Sequence, residues 1–300
     1  MRVDKSRATS VVNAQRQYFR VAIMKKRPFI FARGFSLIEI AIVLVIISVL
    51  ATMVAIPLAT QIEQRRVEDT RKQIEVAKEA LIGFAMANGR LPCPASTTSN
   101  GVASYCTLGV GGCTATTTTT VAILTHGRCS DSNGLLPAVT LGIGPVDSQG
   151  YAIDGWQDGS TVHRLRYAVS KFENPAAAGT FPITATNGIR TATMDIVAAS
   201  PSTSSHLFIC GLGLVAASSS TACSVGVTTL TDRAVALVYS VGKNGSTAFA
   251  SLSFDEQNNQ GNNADIVFSS GDASDNFDDI TSWISLNTLF AKMVIASKLP

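Results

Sequence analysis

The stretch that decides the fold reads Arg33-Gly34-Phe35-Ser36-Leu37-Ile38-Glu39 and continues as IAIVLVIISVLATMVAIPLA over residues 40–59. From Ile40 to Ile62 the chain has 23 residues without a charged side chain. One helix of that length crosses a hydrocarbon core of roughly 30 Å, and no second run approaches it. The sequence therefore predicts a single membrane span. It argues against a disordered chain, a polytopic membrane protein and a cytosolic enzyme.

The charges divide the 300-residue chain into two unequal parts. Residues 1–34 carry nine of the 24 Lys and Arg side chains and a single acid, Asp4, whereas acids outnumber bases in the rest. Basic residues beside a membrane span stay in the cytoplasm, so this segment is predicted to be cytoplasmic and everything after the span to be exported. The overall charge of +3 therefore does not indicate a nucleic-acid binder.

The carboxylate of Glu39 is the anomaly in this stretch, because it stands at the start of the apolar run. A carboxylate inside a membrane helix costs about 3 kcal/mol, and such residues are usually functional. A small residue, Gly34, precedes the run, whereas a signal peptide places its small-residue cleavage site after it. Cleavage between Gly34 and Phe35 would create an α-amino group near Glu39. In an assembly, the amine of one subunit could then pair with Glu39 of its neighbour.

The segment from Gly34 to Glu39 resembles the class III signal of type IV pilins and type II secretion pseudopilins. The resemblance implies that a prepilin peptidase cleaves after Gly34 and N-methylates Phe35, and that Glu39 directs subunit docking in a helical filament. It also implies a helix kink at Pro57, which lies one residue further from the cleavage site than is usual. The alternative is a plain signal anchor with a chance Gly and Glu.

The resemblance and the apolar pattern together predict four segments. The first is a cleaved basic leader, residues 1–34, in which Met24 offers a second start and an 11-residue leader. A membrane-spanning and assembly helix, 35–60, follows. An amphipathic continuation, 61–89, carries Val67, Ile74 and Leu81 at heptad spacing and stops at Asn88-Gly89. The last segment is an exported head, 90–300.

The pilin-like architecture that the resemblance implies is α+β. A long N-terminal helix, half in the membrane and half amphipathic, packs on an antiparallel sheet with disulfide-bearing loops. A helix over residues 35–88 would be about 81 Å long, so its outer half needs a partner for the apolar stripe. The alternative partner is a second helix in a coiled-coil stalk. Trp156 and Tyr167 are expected to be core aromatics that lock a hairpin against the helix.

All six cysteines lie in the exported segment, which predicts disulfides rather than metal ligation. Cys210–Cys223 is the favoured pair, and the other four are expected to pair among themselves. These four are Cys93, Cys106, Cys113 and Cys129. A zinc site is not favoured, since there is no Cys-x-x-Cys and the three His residues are scattered.

In the rest of the head, we expect a loop over residues 95–133, a turn at Gly242-Lys243-Asn244-Gly245 and a C-terminal helix over 280–298. The predicted strands are Arg164–Ser170, Thr193–Ala199, Leu207–Gly211, Ala234–Val241 and Ile266–Ser269. Four acids precede the C-terminal helix: Asp272, Asp275, Asp278 and Asp279. Helix capping by Asp278 or Asp279 explains these acids, so no metal or cofactor is predicted. The less favoured alternative is that the four acids bind calcium, which some pseudopilins bind.

The head contains no Gly-x-Ser-x-Gly, His-Glu-x-x-His or Gly-x-Gly-x-x-Gly motif. The prediction is therefore a non-enzymatic protein, and the resemblance implies a structural subunit, a minor pilin or pseudopilin of a type IV pilus or type II secretion pseudopilus. It would sit in the bacterial inner membrane with its head in the periplasm, and then in the filament. Expected partners are prepilin peptidase, other pilins, the inner-membrane assembly platform and membrane lipid, without nucleic acid. The alternatives are a tip adhesin and a membrane-anchored exported enzyme.

Overall fold

A computed structural model describes residues 36–109, 112–158, 161–198, 206–215, 222–260 and 266–299. Met24, Gly34 and Phe35 lie outside the described residues, so the leader and the cleavage site do too. Pro57 lies in a helix of which only the backbone is described there. The chain divides into two compact units, Met1–Ala55 and Ile56–Pro300.

The described residues contain seven helices and ten strands. The helices are α1 Leu37–Asn88, α2 Val121–His126, α3 Ala138–Leu141, α4 Gly188–Thr191, α5 Thr193–Ala198, α6 Phe254–Gln260 and α7 Leu286–Ile295. The strands are β1 Tyr105–Gly109, β2 Gly112–Thr116, β3 Asn133–Leu135, β4 Ile153–Asp158, β5 Thr161–Arg164, β6 Arg166–Val169, β7 Leu207–Cys210, β8 Thr229–Ser240, β9 Val267–Ser269 and β10 Ile280–Ser285. A short 3₁₀ turn spans Phe249–Ser251.

Helix α1 ends where the sequence predicts. Gly89 adopts a left-handed conformation with φ of 68°, and its N–H donates to the carbonyl of Ala85 at 2.8 Å. A glycine tolerates this conformation without strain, which makes it a common residue just past a helix.

Within the described residues, no helix combines the length and apolarity needed to cross a membrane.

The outer part of α1 packs into the core of the head. Ile74, Ala77, Leu81 and Ala85 are fully buried and join the main hydrophobic cluster with residues of β6, β8 and α7. Their spacing places them on one face of the helix. The stripe is therefore covered by the domain that follows, and the coiled-coil alternative is wrong.

Strand β8 is the centre of a six-stranded sheet. The strand order is β3-β6-β8-β7-β9, and β10 pairs with the other edge of β8. Every pair is antiparallel except β7 with β9, so the sheet is mixed. Val238 faces the cluster that contains α1, whereas Leu237 and Tyr239 face a second cluster around Phe268. Burial on both faces explains the unbroken apolar run of this strand.

A hairpin of β4 and β5 meets α1, as expected for Trp156. The Trp156 indole donates to the Glu63 carboxylate at 3.3 Å, and the Gly155 N–H donates to the Thr70 hydroxyl at 2.8 Å. A Cβ on Gly155 would stand 2.4 Å from the Arg66 carbonyl oxygen, so only glycine permits this approach. Tyr167 is buried in β6 and donates to the Pro92 carbonyl at 3.1 Å.

Three disulfides link the cysteines as the sequence predicts. The pairs are Cys93–Cys129, Cys106–Cys113 and Cys210–Cys223. The first ties the segment after α1 to the loop after α2, and the second closes the hairpin of β1 and β2. The third anchors the loop that follows β7.

Two predictions of local structure in the first part of the head are wrong. Residues 95–133 are not all loop, because they contain the β1–β2 hairpin and α2. Thr193–Ala199 is not a strand, because α5 covers Thr193–Ala198. Ile189 and Ile196 are both fully buried in the main core, and a spacing of seven residues places them on one helical face across the consecutive helices α4 and α5.

The C-terminal helix is shorter than predicted. Residues 280–285 form β10, which pairs with β8 over the whole range, and the helix begins only at Leu286. Its cap is Ser285, whose side chain accepts from the Thr288 N–H. The capping role predicted for Asp278 or Asp279 is therefore wrong, since both precede the strand.

Candidate functional site

The first described turn of α1 holds Glu39 through a local hydrogen bond. The Ser36 N–H donates to a Glu39 carboxylate oxygen at 3.3 Å. The Ser36 carbonyl accepts from the N–H groups of Glu39 and Ile40 at 3.0 and 3.2 Å. A Ser followed three residues later by a Glu that reaches back to its N–H is one half of a capping box.

This geometry gives Glu39 a partner that the sequence analysis missed. The Ser-x-x-Glu spacing of Ser36 and Glu39 was the available signal, but only a docking role for Glu39 was predicted. A carboxylate in the first turn is also stabilised by the positive end of the helix dipole. The docking role predicted for Glu39 remains a prediction, as do the roles of Gly34, Phe35 and Pro57.

The helix after Glu39 is apolar on every side and exposed. We call residues 37–50 the apolar sleeve. Its large hydrophobic side chains are 46–87% exposed. They are Leu37, Ile38, Ile40, Ile42, Val43, Leu44, Val45, Ile46, Ile47, Val49 and Leu50. A helix that is hydrophobic all round is stable in lipid or inside a larger protein body, but not in water.

Three carboxylates, two of them buried and that of Asp278 half-buried, converge in the head, and we call Glu256, Asp278 and Asp279 the carboxylate cluster. One oxygen from each lies within 4.8 Å of the others. Glu256 is 2% exposed and Asp279 4% exposed. Glu256 comes from α6, whereas the two aspartates stand in the loop directly before β10.

Backbone and amide groups donate to one side of this cluster. One Asp278 oxygen accepts from the N–H groups of Lys243 and Asn244 at 2.9 and 3.2 Å. The Asn244 amide donates to Glu256 at 2.5 Å, and the Asn259 amide donates to Asp279 at 2.7 Å. The turn that the sequence predicts after β8 thus supplies three of the donors.

The other side of the cluster is unsatisfied. Asp278 Oδ1, Asp279 Oδ1 and Asn244 Oδ1 are buried without a hydrogen-bond partner. Burial raises the pKa of Asp279 well above its ordinary value, and the charges of Asp278 and Glu256 raise it further. Burial also raises the pKa of Asp278, although the Asn244 and Lys243 N–H groups oppose it.

A cavity of about 640 Å³ opens beside the cluster. Its lining includes Glu63, Trp156, Asn244, Asp278 and Asp279. Two members of the cluster, Asp278 and Asp279, therefore border a space large enough for several water molecules.

The structure separates the four acids that the sequence grouped together. Asp278 and Asp279 belong to the carboxylate cluster, whereas Asp272 and Asp275 are exposed and outside it. Sequence reasoning missed Glu256 and Asn244. No local spacing could have identified them, since the fold brings them from positions more than 20 residues away.

A buried hydroxyl–imidazole pair lies between β6 and β7. Ser170 Oγ and His206 Nδ1 are 2.7 Å apart, and the imidazole stacks on Phe172. Burial lowers the pKa of His206 to about 4, with a smaller contribution from the positive charge of Arg233. His206 is fully buried, and the pair links the residue after β6 to the residue before β7.

Comparison with known proteins returns one finding. A family model described as "Prokaryotic N-terminal methylation motif" matches residues 31–55, which include the predicted cleavage site, Glu39 and the whole apolar sleeve. No curated protein and no solved structure matches the chain. The chain therefore carries, on an α+β pilin-like fold, the N-terminal methylation motif that is the signal of type IV pilins and pseudopilins.

Proposed function

We propose that this chain is a structural filament subunit, a minor pilin or pseudopilin of a type IV pilus or type II secretion pseudopilus. Prepilin peptidase cleaves it after Gly34 and methylates Phe35. Residues 35–60 then hold it in the inner membrane, with the head in the periplasm, until it enters the filament. The observation that carries the proposal is the methylation motif on residues 31–55.

The exposed apolar sleeve supports the membrane and filament steps. Side chains such as Leu44 and Val45, each 62% exposed, are left mostly uncovered by the described chain. Burial of apolar surface is worth roughly 25 cal/mol per Å², so the sleeve favours lipid or the helices of other subunits over water. Both environments occur in turn when a subunit moves from a membrane into a filament.

The capping contact supports a specific role for Glu39. Its carboxylate is bound only by the Ser36 N–H among the described residues, at 3.3 Å, which is a long hydrogen bond. Methylation of the terminal amine keeps its positive charge. A methylated Phe35 amine of a neighbouring subunit would therefore offer a charge-assisted partner, which is stronger than a neutral N–H.

The disulfides support export of the head. All six cysteines are paired, and such bonds persist in oxidising compartments such as the periplasm. The basic segment of residues 1–34 sets the same orientation by the positive-inside rule.

Co-expression with a prepilin peptidase tests the proposal. The full chain should shorten to a product that begins at Phe35 only when the peptidase is active, as read by N-terminal sequencing. Gly34→Val should block cleavage, because the peptidase requires a small residue there. The matched control, Ala32→Val, should leave cleavage unchanged. A chain that stays uncut, or is cut after residue 50, would overturn the proposal.

A further inference from the structure

The cavity beside the carboxylate cluster is large enough for a small organic molecule. Its volume of about 640 Å³ lies in the range of ligand pockets, roughly 300–1,000 Å³. Apolar and aromatic side chains form part of its lining, namely Val67, Trp156 and Phe277. A lining of this kind can contact an aliphatic chain, whereas a hard metal ion requires oxygen ligands on all sides.

The charged side chains that line the cavity are mostly acidic. Four carboxylates face two bases there: Glu63, Asp275, Asp278 and Asp279 against Arg71 and Lys243. Both bases are exposed, so solvent screens their charges more than that of the buried Asp279. Burial raises the pKa of Asp278, and the charges of Glu256 and Glu63 raise it further. The lining therefore favours a ligand that carries positive charge.

Unpartnered oxygens in the same lining point independently to a hydrogen-bond donor. Among the described residues, Asp278 Oδ1, Asp279 Oδ1 and Asn244 Oδ1 are buried without a donor, and all three residues line the cavity. Asp279 is only 4% exposed, and its other oxygen binds the Asn259 amide. Buried polar atoms are hydrogen-bonded in the great majority of cases. A primary ammonium group carries three N–H donors, which is one for each of these oxygens.

Glu63 offers a second acceptor for positive charge in this lining. It belongs to α1, and its carboxylate accepts from the Trp156 indole at 3.3 Å, which holds it in place. Bonds between an ammonium group and a carboxylate are about twice as strong as neutral hydrogen bonds. A molecule with two ammonium groups joined by an aliphatic chain therefore matches both the acidic and the apolar parts of the lining.

We propose that this cavity binds an aliphatic diamine or polyamine. One ammonium group binds at Asp278, Asp279 and Asn244, and a second binds at Glu63. The ligand thereby connects α1 with the turn after β8 and the loop before β10. The inference concerns the head and the outer part of α1, and it does not depend on the filament role.

Calorimetric titration of the full chain in detergent with putrescine, a linear diamine, tests the site. At constant ionic strength, wild type should bind one equivalent of putrescine, and its Tm should rise. N-acetylputrescine keeps only one ammonium group and should bind at least tenfold more weakly. 1,4-Butanediol has the same carbon chain without charge and should not bind.

Two variants test the two acidic parts of the site separately. Asp279→Asn keeps an oxygen for the Asn259 amide, and Glu63→Gln keeps an acceptor for the Trp156 indole. Both variants should therefore fold. Each should weaken putrescine binding at least tenfold, because each removes one carboxylate from the lining.

Matched controls separate the cavity from surface acids. Asp272→Asn and Glu68→Gln remove exposed acids of the same loop and the same helix, outside the lining, and both should bind putrescine like wild type. Absence of a response to putrescine in wild type would overturn the proposal. Equal affinity of Asp279→Asn and wild type, or an equal loss in the controls, would also overturn it.

A competition with Ca²⁺ separates the proposed ligand from a metal ion. Putrescine should remain bound at an equal concentration of Ca²⁺. Displacement of putrescine by Ca²⁺, with a larger rise in Tm, would contradict the proposal and favour a metal site. Cleavage after Gly34 is read separately, so failure of either proposal is visible alone.

Discussion

Glu39 has two potential partners, and they make different demands on its side chain. The Ser36 N–H needs an acceptor oxygen, which glutamine also offers, whereas a subunit's terminal amine needs a negative charge. A local capping role and an assembly role can therefore be separated by two substitutions at this one position.

Glu39→Gln and Glu39→Leu should both leave membrane insertion and cleavage intact but reduce filament incorporation at least tenfold, because both remove the charge. Incorporation is measured as the fraction of the chain in sheared filaments by immunoblot. Normal incorporation of Glu39→Gln with loss in Glu39→Leu would show that capping alone matters. Normal incorporation of Glu39→Leu would refute any assembly role.

The lowered pKa of His206 predicts that the head loses stability at acidic pH. This pKa is lowered to about 4 by burial and by the charge of Arg233. The imidazole is therefore protonated near pH 6.5 in the unfolded chain but only near pH 4 in the folded protein. Stability from this group is complete above the unfolded pKa and is lost as pH falls towards the folded pKa. The free energy of unfolding should drop by roughly 2 kcal/mol more between pH 8 and pH 5 than in a variant without the imidazole.

Urea unfolding of wild type and His206→Gln over that range measures the effect. The variant should be less stable at pH 8, because the stacking on Phe172 is lost, but its pH dependence should be shallower. Parallel pH profiles for the two proteins would show that His206 does not titrate as proposed.

At the scale of elements, α1 is where sequence reasoning worked best. The spacing of Ile74 and Leu81 and the stop at Asn88-Gly89 are local signals, and local signals are sufficient for one long helix. The alternation of strong turn and strand signals likewise located β7, β8 and β9. The cysteine pairing within the first four followed from their confinement to one region.

The wrong assignments share a physical cause. The segments at Thr193 and Ile280 contain β-branched residues and apolar residues at ambiguous spacing, so tertiary contacts decide between helix and strand. Pairing with β8 makes residues 280–285 a strand, while burial of Ile196 beside Ile189 keeps α5 helical. Only Asp278 and Asp279 of the carboxylate cluster could be named from the sequence, because Glu256 is brought to them by the fold.

The buried stripe of α1 gives a stability prediction for this element. Leu81→Ala should destabilise the head by about 3 kcal/mol, because Leu81 is fully buried in the main core and truncation leaves a cavity. Val76 lies on the same helix but is 44% exposed, so Val76→Ala should cost less than about 1 kcal/mol. Chemical unfolding of the full chain in detergent measures both. Equal effects would contradict the packing of this face on the head.

At the scale of the whole molecule, the two compact units differ in whether they bury their own apolar side chains. The unit Ile56–Pro300 contains the core, the disulfides and the carboxylate cluster, and it buries its own apolar residues. The unit Met1–Ala55 contains the methylation motif and the apolar sleeve, which the described chain leaves exposed. One unit therefore needs an external apolar environment and the other does not, as the proposed role of a membrane-anchored filament subunit requires.

The most direct test of this account is mass spectrometry of the amino-terminal peptide from the chain recovered in sheared filaments. The account predicts a peptide that begins at N-methylated Phe35, present only in cells with an active prepilin peptidase. A chain absent from filaments, or present there with an unprocessed amino terminus or one generated after residue 50, would contradict it.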